Sequence, residues 1–482
     1  MTFIRKVKTK SGAIAVQIAQ KRYGRISKID HIGSAHTDEE LQILLTLAKQ
    51  RLRGAQTSLF DNPEVKIEIG LTKSYSGLLF TVLTEQYNHL SFDKLRDPDF
   101  AYLCIARIVE PTSKLDSLRV LSDLGIEGIS KDRLYRCLNR VIEKDYRTQI
   151  TDLCFKQASR SGISLVLYDV TTLYFEVQIE DDYRKPGMSK ERRLEPQIIV
   201  GLLVNQTGFP LGLHSFEGNK AEATTILPVI EEFKKQHGLT DITVVADAGM
   251  LSSKNLEALT HAGYTYIVGS RLNKIPYDIA EYQKTQRLID NQIITTQLEG
   301  KQRVIYQYRE KRANLDRRNL EKQIAKAERI LSGKTTAKRT KFLSVTTKEK
   351  KLNHVLIDKA KALAGIKGYV TNLNIPDAQI ISSYHQLWHV EQSFRMSKSD
   401  LKARPIFHHK RDAIEAHLTI VLTALAIGRT VEQLSGLSIK QLVRTLKPVR
   451  SGTVIINGKA YPAEAIIPPS TAVMLKKLKT GY

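Results

Sequence analysis

Two carboxylates in the chain follow apolar runs that read as buried strands. Asp169 comes after SLVLY, and Asp247 comes after TVVA, just ahead of Gly249. A carboxylate in such a place is costly unless it is paired or bound to a cation. The carboxyl ends of strands in an α/β sheet are also where its clefts open. Either residue alone serves equally well as a helix cap or a satisfied core acid. Two of them in one sheet point instead to shared chemistry. A third acid, Glu391, lies in SSYHQLWHVEQSFRMSKSDLKARPIFH, with Tyr384 seven residues before it and Lys398 seven after. At about 3.6 residues per turn that spacing predicts Tyr384, Glu391 and Lys398 on one helical stripe, with Arg395 at its border. The stripe would offer an oxygen ligand for a hard cation, positive groups for a phosphate and a ring for stacking on a base. Leu387, Trp388, Val390 and Phe394 read as the core face of the same helix.

A sheet must bring the first two acids together. ISLVLYDVTTLYFE, residues 163–176, is rich in β-branched and aromatic residues and reads as a strand. PQIIVGLLV and FPLGLHSFEG read as a hairpin about the turn NQTG. A helix fits ATTILPVIEEFKKQHG, followed by the strand ITVVAD, a helix from Ser252 to His261 and the strand YTYIVGS. The order β-β-β-α-β-α-β is that of an RNase H-like α/β core, a mixed sheet flanked by helices, with one acid on its first strand and one at the end of its fourth. Element order carries this expectation by analogy.

The rest of the chain is read around that core. Residues 12–34 alternate as a small antiparallel sheet, and a capping box from Thr37 to Glu40 opens a helix. Helical periodicity then runs from about Thr72 to Ala158, including two patterns, SKLDSLRVLSDL and KDRLYRCLNRVIEK, about a Gly-containing turn. That pair is compatible with a helix-turn-helix DNA reader, although two helices about a Gly-containing turn are more often ordinary packing. Between residues 273 and 370 charge climbs: residues 301–350 hold 16 Lys plus Arg against 5 Asp plus Glu. A charged helix from Tyr308 to Leu331 and the strand-like QRVIYQY and KFLSVTT lie there. The final 45 residues carry eight basic residues, one acidic and a hairpin-like VIINGKAY. The expected divisions are 1–70, β plus helix; 71–160, helical and DNA-end-binding; 161–272, first part of the core; 273–370, inserted basic subdomain; 371–437, helical completion of the core; and 438–482, basic tail.

Charge names the partner class. Across 482 residues, 74 Lys plus Arg face 50 Asp plus Glu, a formal charge of +24 with pI near 9.7, which favours an acidic polymer. No apolar run reaches the roughly 20 residues of a membrane span, the longest being His417 to Ile427, so no membrane partner is expected. The basic start MTFIRKVKTKSG lacks the apolar segment of a signal peptide. Cys104, Cys137 and Cys154 are odd in number and set in apolar helical patterns, which suits buried thiols in a reducing cytoplasm. His389, His408, His409 and His417 invite a zinc reading, but helical spacing points His389 and Glu391 apart.

Three blocks, YDVTTLYFE, VVADAGMLSSKNL and YHQLWHVEQSFRMSKSDLKARPIFH, resemble those of bacterial insertion-sequence transposases of the DDE class. The likeness spans about residues 95–435, and the third block is similar to a Tyr-x2-Arg-x3-Glu-x6-Lys signature. It implies a metal-binding triad of Asp169, Asp247 and Glu391, with Tyr384, Lys398 and Arg395 at the DNA end. The signature's Arg falls on Leu387, so the contact it makes is either absent here or comes from another residue such as Arg395. An all-oxygen donor set favours Mg²⁺ or Mn²⁺, with two ions about 4 Å apart serving an in-line displacement. The resemblance further implies double-stranded DNA partners, namely terminal inverted repeats and target DNA, and cleavage by water followed by attack of the freed 3′-hydroxyl. A homodimer on paired ends and a location at the nucleoid of a bacterial cytoplasm are implied as well. Two rivals remain at this point: an RNase H-like nuclease without strand transfer, and a catalytically silent regulator descended from a transposase.

Overall fold

The computed structural model describes residues 2–9, 12–53, 69–160, 162–176, 180–187, 195–221, 224–239, 241–249, 253–272, 274–298, 300–333, 341–345 and 350–479. Residues 250–252 of the second block, 346–347 of KFLSVTT and residue 54 at the end of the first expected helix lie outside them.

The chain divides into two units, Met1–Leu78 with Arg444–Ile467, and Leu79–Val443 with Pro468–Tyr482. In the first, strands Thr2–Lys8, Ile14–Arg22 and Arg25–Ala35 form an antiparallel sheet. Tyr23 and Gly24, both at positive φ (46° and 81°), make the tight turn whose twist suits a hairpin. The Glu40 amide donates to Thr37 Oγ1, so Thr37 caps the helix as spaced, while the Glu40 carboxylate accepts from the amide of His36, one residue before the cap. The helix it opens, Asp38–Arg53, packs Leu41 and Ala48 against Val16. Sequence periodicity placed helix from about Thr72 and an independent tail from residue 438. Instead, Ile69–Tyr75 is a strand, paired antiparallel with Ser451–Ile456, which turns at Asn457–Gly458 into Lys459–Ala463. A pairing between segments so far apart leaves no local pattern to read.

The second unit opens with helices, among them Pro98–Val109, Ser117–Asp123, Lys131–Glu143 and Tyr146–Ser159. Asp97 ties them together. Its Oδ1 accepts the amides of Asp99 and Phe100 and so caps Pro98–Val109, while Arg140 and Tyr146 donate to it from the last two helices. Cys104, Cys137 and Cys154 are buried among these helices.

A sheet of eight strands comes next, and its elements are labelled here in chain order. They are β1 (Leu165–Tyr174), β2 (Gln197–Val204), β3 (Pro210–Glu217), α1 (Ile226–His237), β4 (Thr243–Ala246), α2 (Ser253–His261) and β5 (Thr265–Ser270). Further along are α3 (Tyr277–Thr285), β6 (Ile293–Gln297), β7 (Arg303–Tyr308), α4 (Glu310–Leu331), α5 (His354–Ala362) and β8 (Ile366–Thr371). Last are α6 (Asp377–His385), α7 (Trp388–Arg395) and α8 (Arg411–Ser435). The strand order is β6-β7-β8-β5-β4-β1-β2-β3, with β1, β4 and β5 parallel and the remaining pairs antiparallel. Its first five strands in sequence stand as 3-2-1-4-5, the RNase H-like arrangement that the element order predicted. β2 is buried along its whole length, as expected of a strand covered on both faces.

Two readings change. The region expected to be an inserted subdomain contributes β6, β7 and β8 to the main sheet, and among its described residues α3, α4, α5 and the short strands Leu343–Val345 and Lys350–Leu352 stand outside it. Gly368 and Lys367 interrupt the apolar run IKGYVT, which hid β8. Helix α8 is, by length and composition, long and apolar enough to cross a membrane, unlike the shorter run noted in the sequence, yet nearly all of its apolar 18-residue window is buried inside the fold. Glu415 on α8 accepts from Tyr183, Ser215 and Arg147, tying the helix to β3 and to Tyr146–Ser159.

Candidate active site

Register brings the first two acids together. β1 and β4 run parallel with Leu165 level with Thr243, Val166 with Val244 and Leu167 with Val245. Continued two residues further, the same register sets Asp169 level with Asp247 on neighbouring strands, which lie about 4.8 Å apart. Asp169 is half-buried in mid-strand, opposite Leu202, while Asp247 is exposed just past the end of β4. The Ala248 amide and Tyr384 Oη both donate to Asp247 Oδ1, at 2.8 and 3.0 Å. Among the described residues Oδ2 of Asp247 takes no hydrogen bond.

Tyr384 is the group that aims Asp247, and it does so from a buried position. Its side chain is 3% exposed, with its ring 4.9 Å from that of Tyr369, nearly edge-on. The sequence reading gave this ring to a DNA base; its burial leaves no such surface. Burial and the charge of Asp247 push the Tyr384 hydroxyl well above its ordinary pKa, so it keeps its proton and remains a donor. Gly269 on β5 makes the approach possible, since a Cβ there would lie 2.6 Å from Tyr384 Oη.

Glu391 arrives on α7, packed on β1 and β2 through buried Val390 and Phe394. Ser393 Oγ donates to the Gly208 carbonyl at the β2–β3 turn at 2.7 Å, and Arg429 on α8 donates to the Thr207 carbonyl, which fixes the helix over the sheet. Glu391 itself is exposed, and it and Asp247 both act electrostatically on Lys367 and on Tyr384. The single continuous helix behind the stripe argument does not exist. α6 ends at His385, Leu387 is buried at the N-cap of α7, and Met396–Asp400 is a π-turn in which the Leu401 amide reaches the Met396 carbonyl. A π-turn adds a residue to the repeat and rotates the later residues about the helix axis. Lys398 therefore turns to the sheet and donates to Thr171 Oγ1 on β1, one pleat from Asp169, while Arg395 is exposed on α7.

One group at this site had no signal in the sequence. Lys367 on β8 is half-buried with its Nζ 4.3 Å from the Tyr384 ring centroid and 5.7 Å from that of Tyr369. Burial and Arg312 lower its pKa, against the opposing pull of Asp247 and Glu391. A cavity of about 780 Å³, lined by Asp247, Tyr384 and Lys367, runs from here along Arg312 and Asn319 of α4 to Lys359 of α5. Among the described residues, no three His, Cys, Asp or Glu side chains already enclose one point tightly enough to hold an ion. The donors do suit a hard cation: they are all oxygen, two are level on adjacent strands, and Asp247 keeps one oxygen unused.

The sheet thus has the RNase H-like arrangement, with Asp169 in mid-strand, Asp247 exposed past the end of the neighbouring strand and Glu391 borne on a helix packed over it. Residues 160–427, more than half of the chain, match the family described as "Transposase DDE domain", and the chain belongs to that family. It is thus a DNA transposase, an enzyme that breaks and joins DNA strands. Similar solved structures include a piggyBac transposase synaptic complex with hairpin DNA, with 13% identity, a TM-score of 0.42 and coverage of 77% of this chain and 79% of that one. Another is a Mos1 transposase paired-end complex with the left transposon end, with 10% identity, a TM-score of 0.16 and coverage of 48% and 67%. No curated protein matches the chain.

Proposed function

We propose that Asp169, Asp247 and Glu391 are the acidic triad of this transposase and that they hold Mg²⁺ or Mn²⁺, two ions in the working site. The observation that carries this reading is the parallel register of β1 and β4, which, carried two residues past its last pair, levels Asp169 with Asp247, where Tyr384 holds one oxygen of Asp247. Cations bound there supply the charge that activates an attacking oxygen and stabilises a leaving one. The chain's own part is positioning. Tyr384 keeps its proton on Oη and fixes Asp247, while the anchored α7 brings Glu391 to the same sheet end. Lys398, held at Thr171, sets a positive charge beside Asp169, and exposed Arg395 offers another to phosphates.

The substrate in this reading is double-stranded DNA at the terminal inverted repeats of an insertion sequence, cut and then joined to target DNA by a homodimer on paired ends. The setting is the bacterial cytoplasm at the nucleoid. Excess positive charge supports DNA contact well beyond the site. The exposed Tyr135, Arg136 and Asn139 on helix Lys131–Glu143 are the groups the helical region would offer to the DNA end. The test incubates purified protein with its own element's end DNA and Mg²⁺, beside Asp169→Ala, Asp247→Ala and Glu391→Ala. The expected result is cleavage and joining by the wild type alone. A wild type that does neither, or three variants as active as it is, overturns the proposal.

A further inference from the structure

We propose that Lys367 is a phosphate-binding residue of this site, its ammonium contacting the phosphodiester that is cut. The inference rests on the acidic-triad reading and adds a group which the three sequence blocks do not contain. In the strand order β8 lies beyond β5 and β4 from β1, so Lys367 flanks the acids on the β8 side while Lys398 stands over β1 at Thr171. Its side chain shares a face of β8 with Tyr369, and both pack on Tyr384. Ring centroids within about 6 Å hold an ammonium by cation–π attraction and fix its direction. Among the described residues it makes no ion pair, and it lines the same cavity as Asp247. A Lys ammonium is strongly hydrated, and partly stripping it of water without an ion-pair partner is unfavourable. An anion entering the cavity restores what is lost, and in a transposase site that anion is a DNA phosphate. Arg312, on the wall of the same cavity, adds a second positive charge along the strand's path.

The experiment measures binding without turnover. Wild type, Lys367→Gln and Lys367→Arg are titrated in EDTA against a duplex carrying the inverted repeat that flanks the coding sequence. The boundary phosphate of the cut strand is either native or an uncharged methylphosphonate. On the native duplex Lys367→Gln should bind about tenfold more weakly. Its salt dependence should fall by about one unit of slope. On the methylphosphonate duplex wild type and Lys367→Gln should bind alike, and Lys367→Arg should restore most of the native affinity. A Lys367→Gln loss that is equal on both duplexes means that Lys367 only props Tyr384, and overturns the inference. So does no loss at all, or a wild type indifferent to the methylphosphonate. Cutting by the triad variants is scored separately, so failure of the triad reading is distinguishable from failure of this one.

Discussion

Asp97 and Asp247 each stand where a loop meets a regular element, yet they are partnered in opposite ways. Asp97 is buried and saturated by two backbone amides, a guanidinium and a phenol. Asp247 is exposed and takes a phenol and one amide on a single oxygen. Filled partners make a carboxylate a structural hub. A carboxylate that is aimed but unfilled is free to take a ligand. Removing Asp97 should therefore cost stability and spare chemistry per folded molecule, and removing Asp247 should do the reverse.

The largest expected effect breaks the site side of this contrast. Asp169→Ala, Asp247→Ala or Glu391→Ala should lower single-turnover DNA cleavage by about a thousandfold or more, the loss of several kcal/mol of transition-state stabilisation. Melting temperatures should barely move for the two exposed acids, because surface changes cost within about 0.5 kcal/mol. Tyr384→Phe keeps the ring and removes the donor to Asp247. It should slow cleavage about 10- to 100-fold and raise the divalent cation concentration needed, as loss of a ligand's orienting partner does. Gly269→Ala should act in the same direction by displacing Tyr384 Oη.

Asp97→Asn tests the structural side. Leaving Arg140 with Asp99 as its remaining acidic partner should cost about 2 kcal/mol of unfolding free energy, read by denaturant titration, with cleavage per folded molecule unchanged. The smallest effect is in pH. Burial alone would raise the Asp97 carboxyl, but Arg140, Tyr146 and the Phe100 amide outweigh it and hold it below the ordinary range. Its contribution is then fully present above the unfolded value of about 3.9 and is lost as pH falls through the lower folded value. Acid unfolding of the wild type below about pH 4 should accordingly be steeper than that of Asp97→Asn.

Local pattern made some of these groups legible and left others hidden. Asp169 and Asp247 were legible because each ends an apolar, β-branched run whose meaning is local. Glu391 was legible by spacing, but its neighbours were not. The break at Leu387 and the π-turn at Met396–Asp400 are set by packing on β1 and β2, so a uniform helical repeat misplaced Tyr384 at the surface. Lys367 sits in a strand that glycine and its own charge disguise, and it reaches the acids only across the sheet. The pairing of Ile69–Tyr75 with Ser451–Ile456 is hidden for the same reason. Pattern within a segment could be read, and contact between distant segments could not.

The central claim is that the three acids bind the cations that serve DNA cleavage. The direct measurement compares cleavage of end DNA by Asp169→Cys, Asp247→Cys and Glu391→Cys in Mg²⁺ and in Mn²⁺. A thiolate is a poor ligand for Mg²⁺ and a better one for the softer Mn²⁺. Variants silent in Mg²⁺ and partly restored in Mn²⁺ are the predicted result; variants as active as the wild type in Mg²⁺, or silent in both metals, would contradict it.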